Sequence, residues 1–161
     1  MRTRLTPNLK MAVDVQIACR ADDLPSTEAL QTIGARALAA CERPDGEVCV
    51  RIVDGAEIRD LNHRFRDQNK ETNVLSFPAD LPVAPLPLLG DVVICAPVVS
   101  SEAAAQGKPV QHHYAHMLVH GILHLCGHDH EEDQDAEVME TLEADVLASF
   151  DIKNPYQWNG R

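Results

Sequence analysis

The chain has 161 residues, 45% hydrophobic and 24% charged, which suits one ordinary globular domain with a proper core and leaves no run long enough for a membrane span. Its net charge of −11 opposes non-specific adhesion to nucleic acid, but ten of the 25 acidic residues lie between Asp129 and Asp151, where none of the 14 basic residues falls. The rest is nearly neutral, 14 positive against 15 negative, so a local basic site is compatible with the total, and the acidic stretch reads as a solvated helix face.

The basic start MRTRLTPNLK leads into a strand-like segment rather than an apolar signal core, so residues 1–10 are expected to be a flexible start and no export signal is expected. AVDVQIAC (12–19) alternates apolar and polar and predicts a strand. Ser26 is placed to cap a helix carrying Leu30, Ile33, Ala37, Leu38 and Cys41 at helical spacing, with Pro44-Asp45-Gly46 ending it. EVCVRIV (47–53) predicts a second strand. Asp54-x-x-Glu57 resembles a capping box and opens a short helix with Ile58, Leu61 and Phe65 on one face. NVLSF (73–77) predicts a third strand, and a connection containing Pro82, Pro85 and Pro87 leads to a fourth, GDVVICA (90–96). Pro97 suits the first turn of a helix that stops near Gly107, and helices near 111–126 and 133–150 complete the chain. The order β-α-β-α-β-β-α-α-α predicts a single α+β domain over 1–161, one mixed four-stranded sheet packed with about five helices.

Five cysteines, Cys19, Cys41, Cys49, Cys95 and Cys126, form no C-x-x-C pair, and four have apolar neighbours. Buried free thiols in a reducing cytoplasm are expected. Cys126 stands near the histidines, but better-spaced ligands surround it.

The segment HHYAHMLVHGILHLCGHDH (112–130) carries the chemistry. Its helix is apolar around most of its circumference and should be buried, with one ridge of His113, His116, His120 and His124. Residues at i and i+4 stand roughly 5–6 Å apart at Cβ, so His120 and His124 can grip one ion. His116 to His124 is a rise of about 12 Å, too far for those two and His120 to share a single metal. Gly127 can end the helix in the left-handed conformation and return His128 or His130 as the third ligand. Three histidines leave a fourth position open for water, the catalytic rather than the structural zinc arrangement. His112 and His113 read as bystanders and His116 as a supporting residue. The spacing of His120, His124 and His130 is that of the H-E-x-x-H-x-x-G-x-x-H zinc proteases, but their general-base glutamate is replaced by Gly121, which counts against peptide cleavage.

Three segments, LNHRFRDQNKETNVLSFP (61–78), LLGDVVIC (88–95) and AHMLVHGILHLCGHDH (115–130), resemble the YbeY family of bacterial metal-dependent endoribonucleases. The resemblance implies that His120, His124 and His130 hold one zinc ion per chain. It also implies that Arg66 is important to activity, and a phosphodiester indeed needs a cation opposite its developing charge. His128 stands where the family commonly has an aromatic residue, and Asn73 where it often has aspartate; Asp129 either orients a ligand or packs at the turn. The implied function is single-strand-specific cleavage of RNA in 16S rRNA 3′ end processing, ribosome maturation and quality control, in the cytoplasm. Single-stranded RNA and components of the small ribosomal subunit are the expected partners; membrane and DNA are not. The rival readings are a non-catalytic zinc-stabilised assembly factor and a zinc hydrolase of another substrate class. Arg51, Arg59, Arg64, Arg66 and Lys70 give a modest basic bias, without an aromatic-rich stacking surface.

Overall fold

The computed structural model describes residues 12–79 and 88–157. The expected flexible start and the connection carrying Pro82, Pro85 and Pro87 lie outside them. The order of elements is as the sequence predicts: β1 (Val13–Ile17), α1 (Thr27–Ala40), β2 (Glu47–Val53), α2 (Gly55–Arg66), β3 (Val74–Pro78), β4 (Leu88–Cys95), α3 (Ala96–Gln106), α4 (Val110–Leu125) and α5 (Asp133–Ala148). Among the described residues no helix is long and apolar enough to cross a membrane.

Local signals set the helix ends. Ser26 accepts from the Ala29 amide at 3.0 Å and starts α1. Asp54 accepts from the Glu57 amide at 2.9 Å and starts α2. Glu57 does not return the capping-box bond, because both its oxygens hold Arg51 on β2, at 2.6 and 3.1 Å. An ion pair across elements has replaced a local one.

The strands form one mixed sheet in the order β1-β2-β4-β3, parallel except for the β3–β4 pair. β4 sits inside the sheet and is buried on both faces, which explains its continuous apolar run. Val92 and Ile94 enter the larger core with Val48, Val50 and Ile52; Val93 and Cys95 face the smaller one with Val53, Ile58 and Leu75. Alternation along the strands thus separates α2 on one face from α4 on the other. α4 contacts β3, β4, α1, α3 and α5, and is the axis around which the larger core is built. His113 to Val119 and Gly121 to Leu123 are all buried, as its apolar circumference demands.

Candidate metal centre

The site begins with how closely α4 lies on the sheet. A Cβ at Gly121 would stand 2.6 Å from Val92 Cγ1 and 3.2 Å from Ser76 Oγ, and the Gly121 carbonyl accepts from Ser76 Oγ at 3.0 Å. Position 121 therefore faces β3 and β4, where a glutamate has no room. That contact explains the glycine inside the helix and the absence of the protease base.

The end of α4 follows the glycine rule. Gly127, at φ 98°, donates its amide to the His124 carbonyl, and the His128 amide reaches the Leu123 carbonyl, both at 3.0 Å. These two bonds are the Schellman pattern, and they turn the chain back over the last turn. Asp129 Oδ1 then accepts from the amides of His130 (2.6 Å) and Glu131 (3.1 Å). Its carboxylate shapes the turn that presents His130.

As a result one imidazole nitrogen each from His120, His124 and His130 lies within 4.8 Å of the others. Ring centroids are 4.6 Å apart for His120 and His124, 5.1 Å for His124 and His130, and 5.5 Å for His120 and His130. Nε2 of His120 and Nε2 of His124 are 3.2 Å apart. Two nitrogens bound to one tetrahedral zinc at about 2.0–2.1 Å would stand roughly 3.3 Å apart, so the spacing fits such an ion. Burial, and then the neighbouring His120 and His130, lower the His124 pKa and favour the neutral ring that a metal requires.

Behind this group lies a residue that the sequence reading placed on a solvated face. Glu143 of α5 is fully buried. Its Oε2 is 2.8 Å from His120 Nδ1, and its Oε1 is 3.0 Å from His116 Nε2 and accepts from the Tyr156 hydroxyl. Burial alone pushes the Glu143 pKa up; the bonds from His116, His120 and Tyr156 outweigh it and bring the value to about 2. An ionised Glu143 accepts the Nδ1 proton of His120, which leaves the His120 Nε2 lone pair directed at His124. That is the carboxylate–histidine arrangement that fixes a ligand's tautomer and orientation. His116, His120 and Glu143 form a second cluster with metal-ligating atoms within 4.8 Å, but there His120 offers the nitrogen already bonded to the carboxylate. His120 is common to both groups, and Glu143 joins it to His116.

A signal for Glu143 was present. Met139, Glu143, Val146 and Leu147 recur at helical spacing and are the buried positions of α5, so Glu143 lies on the apolar face. Tyr156, from the segment after α5, had no comparable pattern.

Other readings resolve simply. His113 is a buried partner of Glu102, with Nε2 at 2.7 Å from Oε1, and Asn73 donates to the same carboxylate at 3.1 Å. A cavity of about 820 Å³ opens here, lined by Asn73, Glu102, His113 and His116 among others. His112 and His128 belong to neither metal-binding group among the described residues. A hydrogen bond between the Cys41 and Cys126 thiols lowers the pKa of Cys126 and raises that of Cys41. All five thiols are free, but only Cys95 is fully buried.

Arg66 ends α2, where Asp67 takes the left-handed conformation at φ 57°. Its Nη2 donates to the Ser76 carbonyl at 2.6 Å, and Ser76 bonds Gly121, the neighbour of His120. Arg66 is thereby tied to the helix that carries the histidines. Arg51 is paired with Glu57 and Arg64 with Asp60, whereas among the described residues Arg66 contacts no carboxylate. Its exposed guanidinium keeps its charge for another anion.

An α+β domain whose central helix ends in three convergent imidazoles, braced by a buried carboxylate, defines a protein able to hold a metal ion at an open site. The profile of the family described as Endoribonuclease YbeY matches residues 16–151, and the chain belongs to this YbeY family. It is 51% identical over 152 residues to the Endoribonuclease YbeY of Thiobacillus denitrificans, covering 94% of this chain and 99% of that relative. Against the protein of the same name from Cellvibrio japonicus it is 47% identical over 148 residues, 91% of this chain and 84% of the relative. The solution structure of TM1509 from Thermotoga maritima shares the fold, with a TM-score of 0.56 and 24% identity over 92% of this chain and 99% of that one.

Proposed function

We propose that this chain is a zinc-dependent endoribonuclease that cuts single-stranded RNA and acts in 16S rRNA 3′ end processing, ribosome maturation and quality control. The observation that carries the reading is the convergence of His120, His124 and His130 under the hold of Glu143, in a chain whose relatives are named endoribonucleases. One zinc ion per chain is the resident metal, and the cytoplasm is the place of action.

In this reading His120 and His124 ligate through Nε2, and His130 supplies the third nitrogen. When bound, zinc supplies Lewis acidity and lowers the pKa of a water to about 7. Glu143 holds the His120 proton on Nδ1, so the ligating nitrogen stays bare. Arg66, fixed by the Ser76 carbonyl, stands opposite the negative charge that develops on the phosphodiester oxygens. A planar guanidinium suits that task because it can bind two phosphate oxygens at once.

The test uses purified protein: its metal content, and cleavage of a single-stranded RNA with and without chelator, for the wild type, His124→Ala and Arg66→Ala. One zinc per chain, with cleavage lost on chelation and in both variants, is the expected result. Zinc without cleavage would turn the reading to an assembly factor. The ends of the products identify the nucleophile, since attack by the RNA 2′-hydroxyl leaves a 2′,3′-cyclic phosphate. Accumulation of 16S precursor on depletion of the protein tests the ribosomal role.

A further inference from the structure

The chain has only three phenylalanines, yet two of them meet at the surface beside Arg66. Phe65, in the last turn of α2, and Phe77, on β3, lie with ring centroids 5.4 Å apart in an edge-to-face arrangement. Phe77 is rooted in the smaller core, while Phe65 is left 59% exposed. Each ring carries a guanidinium: the Arg64 carbon is 5.4 Å from the Phe65 centroid, and the Arg66 carbon 5.5 Å from that of Phe77. Arg64 also lies 3.4 Å from Asp60, but that pair is exposed and weak, so the two cations still make the rings a poor seat for another basic surface. A ligand that fits must offer a flat π-face and negative charge within a few ångströms of each other. A nucleotide in a single strand offers both, its base to the ring and its phosphate to the cations.

We propose that Phe65 and Phe77, flanked by Arg64 and Arg66, form a base-stacking platform that seats the nucleotide beside the scissile phosphate of a single-stranded RNA. The placement rests on the proposed function, because Arg66 is what joins the platform to the metal centre. The path is short: Arg66 bonds the Ser76 carbonyl, Ser76 Oγ bonds the Gly121 carbonyl, and His120 is the next residue. A base on the rings would lie on the α2 face of the sheet, with Arg66, held at the edge strand β3, as the group that reaches its phosphate. Duplex RNA has its bases stacked internally and cannot use the rings, so the platform also accounts for a preference for single strands. Sequence tolerance follows, since every base has a π-face.

The test is equilibrium binding of ten-nucleotide A-tract and U-tract single-stranded RNAs to the metal-bound protein, with 2′-O-methyl and phosphorothioate groups blocking cleavage. Phe65→Ala is expected to weaken A-tract binding roughly tenfold, the loss of about one stacked base. Phe65→Trp is expected to keep or tighten it. The slope of log affinity against log salt stays unchanged in Phe65→Ala and falls by about 0.7 per lost phosphate contact in Arg64→Ala. Purines stack better, so the A-tract advantage over the U-tract shrinks in Phe65→Ala. Zinc content and thermal midpoint, measured alongside, show that each variant is folded and loaded. Phe65→Ala binding within twofold of wild type overturns the platform, as does a Phe65→Trp protein that binds no better than Phe65→Ala. So does a Phe65→Ala protein that loses self-association while RNA affinity is unchanged, which would make the patch a protein contact. Tight, Phe65-dependent binding by a protein that cleaves nothing keeps the platform and removes the nuclease reading, so the two fail separately.

Discussion

Helices α4 and α5 are each 16 residues long and pack against one another, yet they build the centre in opposite ways. α4 is apolar almost all round, so its histidines are exceptions that burial alone makes conspicuous. α5 is acidic, so its buried acid is hidden among others of the same kind. Glu137 is exposed to solvent, while Glu143, six residues on, is sealed beneath His116 and His120. What a carboxylate does here depends on which side of the helix it occupies, and composition carries no trace of that.

The strongest way to break the comparison is to remove the same group from both sides of α5. Glu143→Ala takes the shared acceptor from His116, His120 and Tyr156 in a buried site and is expected to cost about 3 kcal/mol in urea unfolding. Glu137→Ala is expected to stay within about 0.5 kcal/mol. Equal effects would remove Glu143 from the centre. A gentler change separates stability from metal holding: Glu143→Gln keeps the shape and an acceptor, and zinc affinity by chelator competition is expected to fall roughly 10- to 100-fold.

On α4 the matching probe is Gly121→Ala. The new methyl meets Val92 Cγ1 at 2.6 Å, and overpacking of this kind typically costs about 1–3 kcal/mol, more than the roughly 1 kcal/mol gained in helix propensity. Adding Val92→Ala makes room and is expected to recover part of the loss in the same unfolding assay. Tyr156→Phe removes one of three donors to Glu143 and is expected to cost about 1 kcal/mol, with a smaller loss of zinc than Glu143→Gln.

The subtlest effect is on pH. Burial lowers the pKa of His124 and of His113 from the ordinary 6.5. Below that value the unfolded chain takes up protons more readily than the native one, so their contribution is complete above about pH 6.5 and is lost as the pH falls through the lowered values. Thermal midpoints of the chelated protein from pH 8 down to pH 5 are expected to be level at first and then decline. A midpoint that rises on acidification would contradict the burial of these rings.

Much of the centre was legible because it is local. His120 and His124 share a helix face by spacing alone, and Gly127 announces the turn, although that turn could return His128 or His130 until the chain path was known. Arg66 came into view only through resemblance, since a surface arginine on a helix end is ordinary. That it meets no carboxylate among the described residues appears only once Arg51 and Arg64 are seen to have theirs. The expectation of no aromatic-rich surface missed the meeting of Phe65 and Phe77 because they stand twelve positions apart on different elements, α2 and β3.

By itself the sequence determined the order of nine elements, the cap at Ser26, the buried character of α4 and the pair of histidines that can share an ion. Each is set by interactions within a few residues, through hydrogen bonds at helix ends or the periodicity of apolar side chains. Helical spacing put Glu143 on the apolar face of α5, but only the tertiary structure set that acid behind the histidines, crowded position 121 against Val92 and fixed where Arg66 is held. Those depend on the approach of α4 to β3, β4 and α5, a distance set by the packing of the whole core.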